Sequence, residues 1–136
     1  MTTTRRSLFA LAAGCALAAA APALASGGGE RKKGGGASFL QLPTMTASIV
    51  RSDGRRGVLT VECGVDVPDA ALRTRAEQLQ PRLRDQFRIV IQNFGLALRP
   101  GGVPDADRLA RDLQATADRV LGRTGAKLLL GTVLVN

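Results

Sequence analysis

Histidine, tryptophan and tyrosine are absent from this 136-residue chain, and four phenylalanines are its only aromatic residues. Without histidine, both the usual imidazole base and the commonest metal ligand are missing. With so few aromatics there is no row of rings on which unpaired bases would stack, so nucleic acid is a poor fit as a partner despite the basic charge. Cysteine is nearly absent too: of Cys15 and Cys63, the first lies in an N-terminal apolar run, so the remainder of the chain has no pair for an internal disulfide. No glycine-rich phosphate loop follows a strand, and the acidic residues fall singly on helix faces, at helix starts or on the polar side of a strand. The reading is a non-enzyme with no cofactor and no metal.

What the chain does have begins at Arg5 and Arg6, which stand in front of eighteen uncharged residues, Leu8 to Ala25, ten of them alanine. A basic start, an apolar run and the small-residue triplet Ala23-Leu24-Ala25 before Ser26 make a secretory signal peptide with cleavage after Ala25. The paired arginines resemble a twin-arginine export address, with the general secretory route as the alternative. The run is long enough to span a bilayer, but its alanines, Gly14 and Pro22 make it a weak anchor. Ala12-Ala13-Gly14-Cys15 is a lipoprotein-like box with a very short apolar lead, a third reading for the same segment.

The organisation expected is a signal or weak anchor over 1–25, a glycine-rich tether over 26–37 and one domain over 38–136. Loss of Arg5 and Arg6 leaves 17 of the 19 basic residues against 11 acidic ones, a net of +6. That charge suits an anionic membrane surface or an acidic partner. Met45, Ala47 and Ile49 alternate with polar residues as in a half-buried strand, and Ser52 to Gly57 supplies a hairpin turn. The next strand is clearer, with Leu59, Val61, Cys63, Val65 and Val67 on one face. Cys63 is accordingly read as a buried hydrophobe.

After Pro68 and a possible cap at Asp69 the period lengthens. Leu72, Ala76, Leu79, Leu83, Phe87, Ile91, Phe94 and Leu98 form one apolar helical stripe, interrupted by Pro81, which predicts a kink or two helices meeting near Gln80. A second amphipathic helix runs from Asp105, with Ala106, Leu109, Ala110, Leu113, Ala117, Val120 and Leu121 inward, Arg119 and Arg123 near its end and Gly122 as its stop. The apolar run Lys127 to Val135 predicts a central strand covered on both faces. The fold class expected is therefore α+β: a small sheet of hairpin plus C-terminal strand, packed by a long kinked helix and a second helix.

Gln80-Pro81-Arg82-Leu83-Arg84-Asp85, the Leu42-Pro43 approach to the first strand and the closing Gly131-Thr132-Val133-Leu134-Val135-Asn136 together resemble the periplasmic domain of the flagellar basal-body-associated FliL family over roughly 38–136. The resemblance implies a stomatin-like fold, a place on the periplasmic side of the inner membrane, self-association, and contact with flagellar stator or basal-body proteins. Two features depart from that pattern. The N-terminal run is alanine-rich and cleavable where the family has a strong membrane helix, and Arg99 to Pro104 is rich in proline and glycine. Arg82, Arg84, Asp85 and Arg88 are the candidate partner surface, since arginine is favoured in interfaces. The bland reading of Asp85 and Arg88 is an ordinary surface ion pair. The functional alternative to a motility scaffold is a small exported module whose basic face holds an anionic ligand or membrane surface.

If Arg5 and Arg6 are read as an address rather than as charge, replacing both by lysine blocks export, and fractionation shows the precursor retained in the cytoplasm. Normal delivery of the double-lysine variant would assign the signal to the general secretory route.

Overall fold

A computed structural model describes residues 36–136. Arg5, Arg6, Ala23, Ala25, Ser26 and all of the tether before Gly36 lie outside the described residues. Four strands and three helices follow in the order β1 (Phe39–Gln41), β2 (Met45–Val50), β3 (Arg56–Asp66), α1 (Ala70–Gln78), α2 (Gln80–Ala97), α3 (Ala106–Leu121) and β4 (Lys127–Val135). The class is α+β, a small antiparallel sheet with helices packed against it.

The sheet is organised by β3. The hairpin expected around residues 52–57 joins β2 to β3, pairing Val50 with Arg56 and Met45 with Val61. Its turn closes through the Arg51 amide on the Arg55 carbonyl at 2.8 Å and the Asp53 carboxylate accepting from the Arg55 amide at 3.0 Å. Gly54 takes the positive φ of 75° that other residues adopt only at a cost. Upstream, the chain pairs again with the same strand: β1 sets Phe39 against Asp66 and Gln41 against Gly64. β1 is an element that the alternation from Met45 did not reveal. Pro43, which has no amide to donate, separates β1 from β2, while the Leu42 amide still reaches the Cys63 carbonyl at 3.2 Å.

β4 pairs with β3 from Leu59–Val135 to Asp66–Lys127, so it runs along the edge opposite β1 and β2. The expectation of a central strand covered on both faces is therefore wrong. No residue of β4 is buried, and Leu129 and Leu134 are 40% and 47% exposed. An unbroken apolar run is what a doubly covered strand requires, but it does not supply the neighbour, and here both upstream strands occupy the other side of β3. The open edge is guarded at its start by Gln114 of α3. Its amide donates to the Ala126 carbonyl at 2.8 Å and its carbonyl accepts from the Leu128 amide at 2.7 Å, much as a neighbouring strand would. A register shift opposite Glu62, between the pairs Val61–Val133 and Cys63–Leu130, breaks the regularity further along.

The helices all lie on one face. The expected long kinked helix resolves into the second of its two alternatives, separate helices α1 and α2 meeting at Leu79, which has φ −94° and ψ 7°. Pro81 falls in the first turn of α2, where no intrahelical donor is needed. The apolar stripe continues across the break: Leu72, Ala76, Leu83, Phe87 and Ile91 are buried, and Leu79, Phe94 and Leu98 pack partly against them. At Gly95, α2 comes so near β2 that an added Cβ would stand 3.1 Å from that of Ala47. In α3 the buried side is Leu109, Leu113, Thr116, Ala117 and Leu121. Ala106 is exposed, whereas Ala110 and Val120 are half-buried. The stop at Gly122 is left-handed, φ 77°.

Phe87 is fully buried at the middle of the stripe. Its replacement by alanine is expected to cost about 3 to 5 kcal/mol through lost burial and the cavity left behind, read as a lowered midpoint in denaturant melts. A loss under about 1 kcal/mol would show that the site collapses around the gap.

Candidate partner surface

Arg82, Arg84, Asp85 and Arg88 are all exposed on α2, away from the core stripe, but they do not make a single cluster. Residues two apart in an α-helix point roughly 200° apart, so Arg82 lies on the outward side of α2 and Arg84 on its flank. Arg84 and Arg88, four apart, share one flank, and Asp85 lies between that flank and Arg82. The expected Asp85–Arg88 ion pair is absent: among the described residues the ion pairs are Arg123–Asp69 and Arg108–Asp112. None of the three arginine side chains makes a hydrogen bond or ion pair among the described residues. Arg84 and Arg88, as like charges at i and i+4, cost the helix roughly 0.2 to 0.5 kcal/mol. Stability gives no account of that arrangement.

On the line of Arg82, α2 exposes two large apolar side chains that the sequence reading did not single out. Ile89 is 49% and Leu96 78% exposed, seven residues apart and thus on one line with Arg82. Their signal in the sequence was present: both fall off the apolar stripe, where a helix with only a solvated outer face would carry polar residues. The outward side thus carries Ile89 next to Arg88, and Leu96 two turns further on beyond exposed Gln92 and Asn93.

A second exposed surface lies on the far side of the sheet, which none of the described helices covers. Val50 and Val58 are 45% and 44% exposed there, alongside Leu129 and Leu134 of β4. At one end is a hollow of about 440 Å³ around Phe39, Gln41, Glu62, Gly64, Asp66 and Leu129. The Phe39 ring lies directly over Gly64, where an added Cβ would come within 2.6 Å of the ring carbon Cε2. The Ser38 hydroxyl donates to the Asp66 carboxylate at 2.6 Å beside it.

Of the remaining polar groups, Asp69 is structural. Its carboxylate accepts from the Leu72 amide at 2.7 Å, capping α1 as expected, and from the Arg123 guanidinium at 2.6 Å, tying the start of α1 to the end of α3. The Leu72 amide and, secondarily, Arg123 hold its carboxyl below the ordinary value of 3.8. Its stabilising contribution is thus present above that pH and lost as the solution is acidified through the folded-state value. Among the described residues no three histidine, cysteine or acidic side chains are grouped to hold a metal, and no helix is long and apolar enough to cross a membrane. Comparison with protein-family models and with curated proteins gave no match to this chain.

Cys63 is 5% exposed on the inner face of β3, and burial pushes its thiol up to about 12. The thiolate is the nucleophile, so iodoacetamide at pH 8 is expected to leave Cys63 untouched in the folded protein and to alkylate it fully in denaturant, as mass spectrometry will read. Rapid native labelling would place the thiol at the surface of the hollow.

Proposed function

We propose that this chain is an exported, non-enzymatic scaffold of the FliL kind, acting at the flagellar basal body, with the outward side of α2 as its contact for a second copy or a stator protein. The observation that carries the reading is the α2 surface: Arg82, Arg84 and Arg88 are exposed with side chains that have no partner among the described residues, and Ile89 and Leu96 are exposed on the same outward side. Arginine is favoured at interfaces, and its long stem covers apolar side chains such as Ile89 while its charged head reaches a partner. The element order adds support, since a hairpin, a helix carrying Pro81 in its first turn, a further helix and a closing strand are the sequence of parts that the resemblance implies. In this role the chain acts by positioning partners, and the chemistry of rotation belongs to them.

The arginines are separable from folding. Arg82, Arg84 and Arg88 replaced together by glutamine keep helix preference and length, so the melt should stay within about 1 kcal/mol of the parent. Crosslinking to partners and restoration of swarming in a deletion strain are expected to be lost. Full motility with unchanged crosslinks would remove the α2 surface as the contact. Loss of binding to anionic vesicles with full motility would instead favour a module for anionic surfaces.

A further inference from the structure

Two connections that meet at one end of the domain are rich in arginine. The β2–β3 hairpin carries Arg51, Arg55 and Arg56, the linker from α2 to α3 begins with Arg99, and all four are exposed. The connections touch: the Gly101 amide donates to the Val50 carbonyl at 3.4 Å, and an added Cβ on Gly101 would stand 2.7 Å from that of Ser52. Arg51 and Arg55 face each other across the hydrogen bond that closes the turn, an opposition of like charges that costs a hairpin stability. None of the four side chains makes a hydrogen bond or ion pair among the described residues. The nearby carboxylates are turned elsewhere. That of Asp53 accepts from the Arg55 amide at 3.0 Å and that of Asp105 from the Arg108 amide at 2.9 Å, while Asp107 and Arg108 in the first turn of α3 add one charge of each sign.

The same linker holds an apolar side chain out in water. Val103, between Gly102 and Pro104, is 89% exposed, more than any other large hydrophobic residue described, and it lines one hollow with Arg99. We propose that this end of the domain docks on the surface of an anionic bilayer, with Arg51, Arg55, Arg56 and Arg99 on the lipid phosphates and Val103 at the apolar boundary beneath them. Arginine suits that depth, because its stem lies along apolar surface while the guanidinium stays among polar groups. Basic side chains close to such a surface are drawn to it, and the attraction fades within a Debye length, about 8 Å at physiological salt. Arg82, Arg84 and Arg88 lie roughly 16 to 25 Å up the helix from Arg99 by its rise per residue, so they add little to it.

Lipid is favoured over other anionic occupants by what surrounds the charges. A nucleic acid gains from rings on which bases stack, and the ring nearest the linker, Phe94, packs against the core instead. An acidic protein presents carboxylates at fixed positions, which calls for guanidinium groups held at fixed positions, and here no hydrogen bond or ion pair holds any of the four. Mobile headgroups gather around charges that are not held. A protein partner would also need a socket for Val103, whereas the boundary of a bilayer takes an aliphatic side chain anywhere along its surface. The docking goes beyond the scaffold reading and does not depend on it, since the outward side of α2 is not used.

The test is co-sedimentation of the purified full chain with phosphatidylcholine vesicles that contain either no anionic lipid or about one third phosphatidylglycerol. Any pull of the N-terminal run on lipid is common to all variants, so differences among them report this end of the domain. The parent is expected to bind the anionic vesicles. Glutamine at Arg51, Arg55, Arg56 and Arg99 together should weaken that binding about tenfold or more at an unchanged melting temperature. The variant with Arg82, Arg84 and Arg88 as glutamine should bind within about threefold of the parent, so its swarming result bears on α2 alone. The chain has no tryptophan, so Val103→Trp supplies a single fluorophore whose emission should shift to the blue on anionic vesicles and not on neutral ones. That readout decides even if the quadruple variant proves less stable. Equal binding of the parent and a folded quadruple variant, or emission that stays unmoved on anionic vesicles that carry the protein down, overturns the proposal. A parent that binds heparin through the four arginines but ignores the anionic vesicles overturns lipid as the occupant.

Discussion

The structure depends on the inner row of β3. Leu59, Val61 and Val65 are fully buried and Cys63 nearly so, and every other element is placed by reference to this strand. β1 and β2 take one of its edges, β4 the other, and α2 and α3 cover one of its faces. Burial of that row together with Phe87, Ile91, Leu109 and Leu113 is the main force available, because the domain has no disulfide to restrict its unfolded state. With a modest core on one side only, a domain of this size keeps a large fraction of its sheet surface in water. The two exposed apolar surfaces follow from that geometry rather than from any local irregularity.

Much of the architecture was legible in residue spacing. Period two gave β2 and β3 with the correct inward residues, and period three to four gave the stripe from Leu72 to Leu98 across the break at Leu79. These readings succeed because a covered face must be continuously apolar, and that is a one-dimensional property. The placement of β4 was not legible, since the sequence of a strand does not state how many neighbours it has. β1 was missed because three residues are too few to show a period. Gln114 was missed because its work, bonding to the Ala126 carbonyl and Leu128 amide, joins residues twelve and fourteen positions away. A polar residue on the margin of an amphipathic helix carries no mark of such a task.

The candidate surface was legible only as a composition. Arg82, Arg84, Asp85 and Arg88 stood out as a run of charge, and the helix puts Arg84 and Arg88 on one flank and Arg82 on the outward line that Ile89 and Leu96 continue. Helical rotation alone accounts for the redistribution, and it divides an expected patch of charge between two lines of the helix. The missing Asp85–Arg88 contact fits the same picture: an exposed pair gains little from being held together, well under 1 kcal/mol as a rule.

The edge of β4 bears on how the molecule behaves when crowded. An aliphatic strand with one free side is a template on which further chains add without limit, and this one carries leucine and valine along nearly its whole length. Gln114 already fills the hydrogen-bonding positions at its beginning, and the shift opposite Glu62 puts the remaining ones out of step with any straight strand laid beside them. Lateral growth along β4 therefore meets an occupied start and a broken rhythm, which makes this edge a poor template for fibres despite its aliphatic run.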